Sequence, residues 1–144
     1  MIYTDETKKA LKLAYEAHKD QLDKGGMPYI YHPFHLAEQM PDEDTTVTAL
    51  LHDVVEDTPY TMEDLRKMGF RESVCRALEL LTHDESVPYM EYISKIKENP
   101  IAKAVKLADL QHNSDLSRLE SKKLGESAKK RLEKYKKAIM LLSS

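Results

Sequence analysis

Three short segments of this sequence concentrate the side chains that bind cations or move protons. His32 follows a loop of glycine and proline, His52 adjoins Asp53, and Asp109 lies just before His112. The middle segment, His52-Asp53-Val54-Val55-Glu56-Asp57, is the densest. Glu56 is four residues from His52 and three from Asp53, and Asp57 is four from Asp53, so an unbroken helix would stack all four groups along one side. Acids so close repel one another, at roughly 0.2–0.5 kcal/mol per i,i+4 pair. A divalent cation would offset that repulsion, and an imidazole with oxygen ligands suits manganese, iron, zinc or magnesium. A solvated acidic helix end is the other reading of the same segment. Adjacent residues point about 100° apart on an ideal helix, which leaves open whether His52 and Asp53 reach one ion. Asp109 sits among Leu107, Ala108 and Leu110. An acid on an apolar face needs a partner or a metal, which makes it a candidate distal ligand.

The elements that must position these groups are helices. Only 4 glycines and 6 prolines occur, and no segment alternates apolar and polar residues for long, so the fold is expected to be all-α. Thr4 caps a first helix that opens with Asp5 and Glu6 and carries Leu11, Ala14, Tyr15, His18 and Leu22 as its core stripe. Lys24-Gly25-Gly26-Met27-Pro28 ends it in a loop, and a short helix is expected from Pro33 to Gln39. A central helix starts at Asp44 or Thr45 and carries Val47, Leu50, Leu51, Val54 and Val55. It ends before Pro59, which pushes Thr58 out of the α region. Thr61 with Asp64 resembles a capping box, and Gly69 suits the end of that helix. Further helices are expected from about Glu72 to Leu81 and from Pro88 to Glu98. Another begins at Pro100, with Ile101, Val105, Ala108 and His112 on one face, and a last one runs from about Ser127 to Leu142.

A length of 144 residues allows one core, so residues 1–144 are expected to form a single domain. Apolar residues at 41% and charged residues at 33% describe a soluble folding chain. No apolar run nears the ~20 residues of a membrane span. The polar, acid-bearing start lacks the flank and apolar stretch of a secretory signal, and the expected compartment is the cytoplasm. The single cysteine, Cys75, is read as core. A net charge of −3 opposes non-specific binding to nucleic acid or to an acidic membrane, so neither is an expected partner. One basic tract, Lys122, Lys123, Lys129, Lys130, Arg131, Lys134, Lys136 and Lys137, interleaves with Leu132, Tyr135, Ile139 and Leu142. It reads as the solvated face of a packed helix. His18 is read as a core or pocket-lining residue, His35 as structural, His83-Asp84 as loop, and His112 as a pocket border. Tyr29 and Tyr31 could stack on a base or pack the loop.

The ordered set Lys24-Gly25-Gly26-Met27-Pro28-Tyr29-Ile30-Tyr31-His32-Pro33, His52-Asp53-Val54-Val55-Glu56-Asp57-Thr58 and Lys106-Leu107-Ala108-Asp109-Leu110-Gln111-His112-Asn113 resembles the HD-domain hydrolases. Within them it is most similar to the hydrolase domain of the RelA/SpoT-homologue alarmone enzymes, small stand-alone members included. The likeness runs from the first helix to about residue 119 and implies a compact HD-type helical bundle. It further implies that His32, His52, Asp53 and Asp109 ligate one divalent metal ion, usually manganese in this family. By the same likeness Glu56 and Asp57 position and deprotonate the attacking water, while Lys24, Tyr29 and Asn113 are the candidate contacts to a nucleotide. The implied reaction removes pyrophosphate from the ribose 3′ position of guanosine tetra- or pentaphosphate, leaving GDP or GTP, so the implied partner is a small nucleotide.

Two positions depart from that pattern. Asp23 stands where the family usually shows an arginine before Lys24, and Asp115 stands where it commonly offers a basic residue. A carboxylate at a phosphate-binding position repels phosphate. This keeps two alternatives open: an HD phosphatase or pyrophosphatase for a different nucleotide, and a non-catalytic nucleotide-binding module. The presence of both Glu56 and Asp57 argues against the second.

Overall fold

The chain folds as an α-helical bundle around one hydrophobic core; the structure, a computed structural model, describes residues 1–119 and 124–144. The helices are α1 (Asp5–His18), α2 (Tyr31–Glu38), α3 (Glu43–Leu51), α4 (Val54–Asp57), α5 (Met62–Lys67), α6 (Glu72–Leu81), α7 (Tyr89–Lys97), α8 (Pro100–Asn113) and α9 (Glu126–Ser143). A 3-10 turn, Leu116–Arg118, follows α8. Among the described residues extended pairing is limited to one bridge, between Leu22 and Pro28, and no helix is long and apolar enough to cross a membrane.

Local chemistry sets most of the boundaries. Thr4 and Thr7 form a reciprocal capping box at α1, and Thr61 and Asp64 form another at α5. Asp42 and Asn99 cap α3 and α8 through their side-chain oxygens. Gly69 ends the α5 segment with φ +86°, a backbone state that glycine adopts without penalty. Thr58 is extended before Pro59, as expected.

α3 is the hub and packs against α1, α2, α6 and α8. Seven of its residues are buried, three of them threonines. Their hydroxyls are satisfied locally: Thr46 donates to the Asp42 carbonyl at 2.6 Å, Thr48 to the Asp44 carbonyl at 2.8 Å, and Thr45 to the Asp42 side chain at 2.7 Å. That bonding lets a polar sequence occupy the centre of the molecule. Leu36, Leu50, Leu51, Leu78, Ile93 and Leu142 fill the space around it, and Cys75 is core, as expected.

Three expectations change. The α1 stripe ends at His18: Leu22 lies beyond the helix and Tyr15 on its outer face, and both are exposed. α2 starts at Tyr31, two residues early, because Pro33 then falls in the first turn, where its missing N–H is not needed. The central helix does not run unbroken to Thr58 but stops at Leu51 and resumes as the single turn α4. At the break His52 Nδ1–H donates to the Ala49 carbonyl at 2.7 Å. That carbonyl is the acceptor the Asp53 amide would use if the helix continued. Asp53 leaves the helical region, with φ −107° and ψ 1°.

Leu50 is wholly buried in α3. Leu50→Ala is expected to destabilise the fold by about 2–5 kcal/mol in urea titration. A loss under about 1 kcal/mol would contradict its place at the hub.

Candidate metal centre and cavity

The break after α3 brings distant residues to one point. Ligand atoms of His32 on α2, His52 after α3 and Asp109 on α8 all lie within 4.8 Å of one another. His32 Nε2 is 2.8 Å from Asp109 Oδ1, and His52 Nε2 is 3.4 Å from the same oxygen and 2.9 Å from Asp53 Oδ2. The neighbours His52 and Asp53 thus converge because the helix stops between them.

The His52 ring carries the sharpest information. Its Nδ1 holds a hydrogen, since the Ala49 carbonyl can only accept. Its Nε2 is buried and meets no partner in hydrogen-bond geometry, although two carboxylate oxygens stand close by. In a neutral imidazole that nitrogen presents a lone pair to two anionic oxygens, which requires positive charge between them. A second ring proton supplies it in the ion-free protein. Burial opposes that proton, but Asp53 and Asp109 outweigh burial and hold the His52 imidazole charged well above its ordinary range. The buried His32, His52 and Asp109, with Asp53 beside His52, fit a divalent cation in place of that proton.

Neighbouring groups orient each donor. His32 Nδ1 lies 2.7 Å from His112 Nδ1. Burial, then the charges of Arg118 and His32, push His112 down to about 4, so it is neutral and able to accept a hydrogen from His32. Asp109 receives Lys106 Nζ on Oδ2 at 2.9 Å and Asn113 Nδ2 on Oδ1 at 3.0 Å. Burial would raise the Asp109 carboxyl, but the Lys106 ammonium, the bond from His32 and the charge of the nearby His52 ring hold it well below the usual carboxylate range. The Tyr29 hydroxyl donates to Asp53, and the Tyr29 ring rests against those of His18 and His32.

Of the four expected ligands, Asp53 stands apart from the convergent trio of His32, His52 and Asp109: it groups with Glu56 and Asp57 and meets the trio through His52 Nε2 at 2.9 Å. These two acids lie at the exposed rim. The backbone N–H of His83 donates to Glu56 Oε1 at 3.0 Å, and Gln21 Nε2 donates to the Asp57 carbonyl at 2.9 Å. Partial burial, followed by the charges of Asp53 and Glu56, pushes Asp57 up to about 6. Glu56 is raised for the same first reason.

A cavity of about 330 Å³ opens beside the cluster, with His32, Tyr29, Lys24, Asn113, Arg118 and Arg131 on its wall. The two unexpected acids border it too, yet each is engaged in building its own loop. Asp23 Oδ1 accepts the amides of Gly25 at 2.8 Å and Met27 at 3.0 Å, while Oδ2 lies 3.4 Å from Arg118 Nη2. Asp115 caps the 3-10 turn by accepting the Ser117 amide at 3.0 Å and the Ser117 hydroxyl at 2.5 Å.

The residues singled out from sequence therefore fall in one region. Tyr29 and Asn113 line the cavity while their polar ends are bonded to metal-site carboxylates. His18 is buried beside Tyr29, His35 is exposed with its ring on His112, and His83-Asp84 is loop. In the basic tract Lys129, Lys130, Lys134, Lys136 and Lys137 are solvated, whereas Arg131 is half-buried on the cavity wall. Lys122 and Lys123 lie outside the described residues. Sequence reasoning missed the support given by Lys106, Arg118 and the His83 amide. Lys106 was detectable as a cation one turn before a buried acid; the other two depend on contacts distant in sequence.

The profile of the HD domain matches residues 10–144. The chain belongs to the HD domain family. It is 37% identical over 122 residues to the zebrafish (Danio rerio) guanosine-3′,5′-bis(diphosphate) 3′-pyrophosphohydrolase MESH1, covering 75% of this chain and 67% of that protein. It is 33% identical over 123 residues to the guanosine-3′,5′-bis(diphosphate) 3′-pyrophosphohydrolase of Aquifex aeolicus, covering 77% of this chain. It is 32% identical over 121 residues to the bifunctional (p)ppGpp synthase/hydrolase SpoT of Escherichia coli, covering 74%. The match spans only 18% and 17% of those two bacterial proteins. A solved structure, described as a metazoan ortholog of SpoT that hydrolyzes ppGpp, superposes with a TM-score of 0.77 at 27% identity, over 99% of this chain and 88% of that one.

The Asp57 carboxyl holds its proton more tightly in the folded than in the unfolded chain, so ionising it costs stability as pH rises towards and through about 6. In metal-free protein Asp57→Asn is expected to raise the melting temperature near neutral pH, by an amount that shrinks as pH falls below about 6. Equal melting temperatures at neutral pH would contradict the crowding of these acids.

Proposed function

We propose that this chain is a metal-dependent nucleotide phosphohydrolase that removes pyrophosphate from the ribose 3′ position of guanosine 3′,5′-bis(diphosphate), leaving GDP, and from the pentaphosphate, leaving GTP. In this reading residues 1–144 act as one HD-type domain, its cofactor is one manganese ion, its compartment is the cytoplasm and its partner is a small nucleotide. The observation that carries the reading is the His52 imidazole, fixed by Ala49 so that its buried Nε2 points at Asp53 and Asp109. The likeness to proteins that bear the 3′-pyrophosphohydrolase name supports the substrate.

His32, His52, Asp53 and Asp109 would hold the ion. When bound, a divalent cation lowers the pKa of water and screens phosphate charge. The water oxygen bonds to the phosphorus carried by the ribose O3′, the O3′–P bond breaks, O3′ takes a proton, and pyrophosphate leaves with the new oxygen. Asp57 is positioned to take the water proton, since at neutral pH it is mostly ionised yet more basic than an ordinary carboxylate. Glu56, steadied by the His83 amide, lies beside it for the same task. Lys24 and Arg131 supply positive charge for the phosphates, and Asn113 borders the nucleotide while bracing Asp109.

Asp53→Ala and Asp109→Ala are expected to lose both bound metal and turnover, measured by metal analysis and pyrophosphate release. Full metal occupancy in either would contradict the ligand assignment. Glu56→Gln should retain the ion and lose roughly 10²–10⁴-fold in rate, because an amide accepts no proton. A panel of small nucleotides with and without manganese tests the substrate. Pyrophosphate from a 3′-diphosphate is the expected product; a different product moves the substrate elsewhere, and none at all refutes catalysis.

A further inference from the structure

We infer that Arg118 is the guanidinium that binds a substrate phosphate in the cavity, and that Asp23 is the residue that positions it. The inference rests on the phosphohydrolase reading above for the identity of the substrate, but its geometry stands independently.

Arg118 is anchored at the point where two remote loops meet. Its Nη1 donates to the His112 carbonyl at 2.8 Å and reaches Asn113 Oδ1 at 3.4 Å, while Nη2 lies 3.4 Å from Asp23 Oδ2. These bonds tie it to the last turn of α8, which carries Asp109, and to the loop preceding His32. A Cβ on Gly25 would sit 1.9 Å from the Arg118 carbonyl oxygen, so this contact requires glycine. The Asp23 side chain is 13% exposed and that of Arg118 is 23%, so the pair is largely enclosed while still reached by solvent.

The guanidinium borders two cavities: that of about 330 Å³ beside the metal cluster, and one of about 440 Å³ with Met27, Tyr31, His35 and His112. Asp23 lines both as well. A guanidinium has five N–H donors, and among the described residues Arg118 reaches only three acceptors. Among the described residues this leaves donors in a fork suited to phosphate oxygens. Asp23 accepts two loop amides on one oxygen and the guanidinium on the other. Its charge is thus engaged in orienting a cation. The acid that a sequence pattern casts as repelling phosphate holds the arginine that attracts it.

The test compares the parent with Arg118→Ala, Arg118→Lys, Asp23→Asn and the double variant Asp23→Asn/Arg118→Ala, each confirmed as folded by circular dichroism. The readouts are KM and kcat for guanosine 3′,5′-bis(diphosphate) with manganese, and calorimetric affinity for inorganic pyrophosphate. Arg118→Ala is expected to raise KM and weaken pyrophosphate binding by roughly ten- to a hundredfold with kcat nearly unchanged, and Arg118→Lys to recover part of that loss. Asp23→Asn keeps a loop-capping oxygen but removes the charge, so it should raise KM by a smaller factor. The double variant should be no worse than Arg118→Ala alone, because Asp23 acts through Arg118. Unchanged KM and affinity in Arg118→Ala, or tighter binding in Asp23→Asn, would overturn the inference. Parent protein that binds pyrophosphate through Arg118 but releases none from the nucleotide would sink the proposed reaction and leave this assignment standing. Parent protein that does neither would sink both.

Discussion

One hydrogen bond, from the His52 ring to the carbonyl of Ala49, governs the geometry of the whole centre. It sits where the buried hub helix ends and Asp53 leaves helical geometry, and it fixes which imidazole nitrogen faces the interior. The charges then follow. A buried nitrogen between two carboxylates requires a cation or a proton, and the surrounding groups are arranged to hold the carboxylates ionised. Lys106 neutralises Asp109 from behind, and the Tyr29 hydroxyl donates to Asp53. His112 stays neutral beside His32. Cations and imidazoles depress Asp109, whereas partial burial and then the charges of Asp53 and Glu56 raise Asp57, so acids in one region take different roles through their surroundings.

Helix types and most boundaries were legible from local signals. Thr4, Thr61, Pro100 and the Pro59 stop each act within a few residues, and their chemistry is short-range. The break at His52 was not legible, because a side chain taking a carbonyl inside a helix leaves no mark in periodicity. Spacing arguments stacked His52, Asp53, Glu56 and Asp57 on one face of an unbroken helix, a geometry the structure does not have. What joins them is the turn between α3 and α4, where Asp53 groups with Glu56 and Asp57 and reaches His52 at 2.9 Å.

The reading of isolated charges changed most. Asp23 and Asp115 look, as letters, like carboxylates set against an anionic ligand. In the structure one orders the loop before His32 and pairs with Arg118, and the other caps the turn that carries Arg118. Arg131 looked like one of many solvated basic residues but lies on the cavity wall. The Asp115 cap is local, but the pairing of Asp23 with Arg118 spans 95 residues, and a contact of that range cannot be read from neighbouring letters.

The central claim is that the buried Nε2 of His52 exists to meet a cation. A crystal structure of the protein soaked in manganese, with data collected at the manganese absorption edge, tests it most directly. The account predicts one anomalous peak within bonding distance of His32, His52, Asp53 and Asp109, with the His52 Nδ1 bond to Ala49 intact. No peak there, with the His52 ring turned away from the two carboxylates, would contradict it.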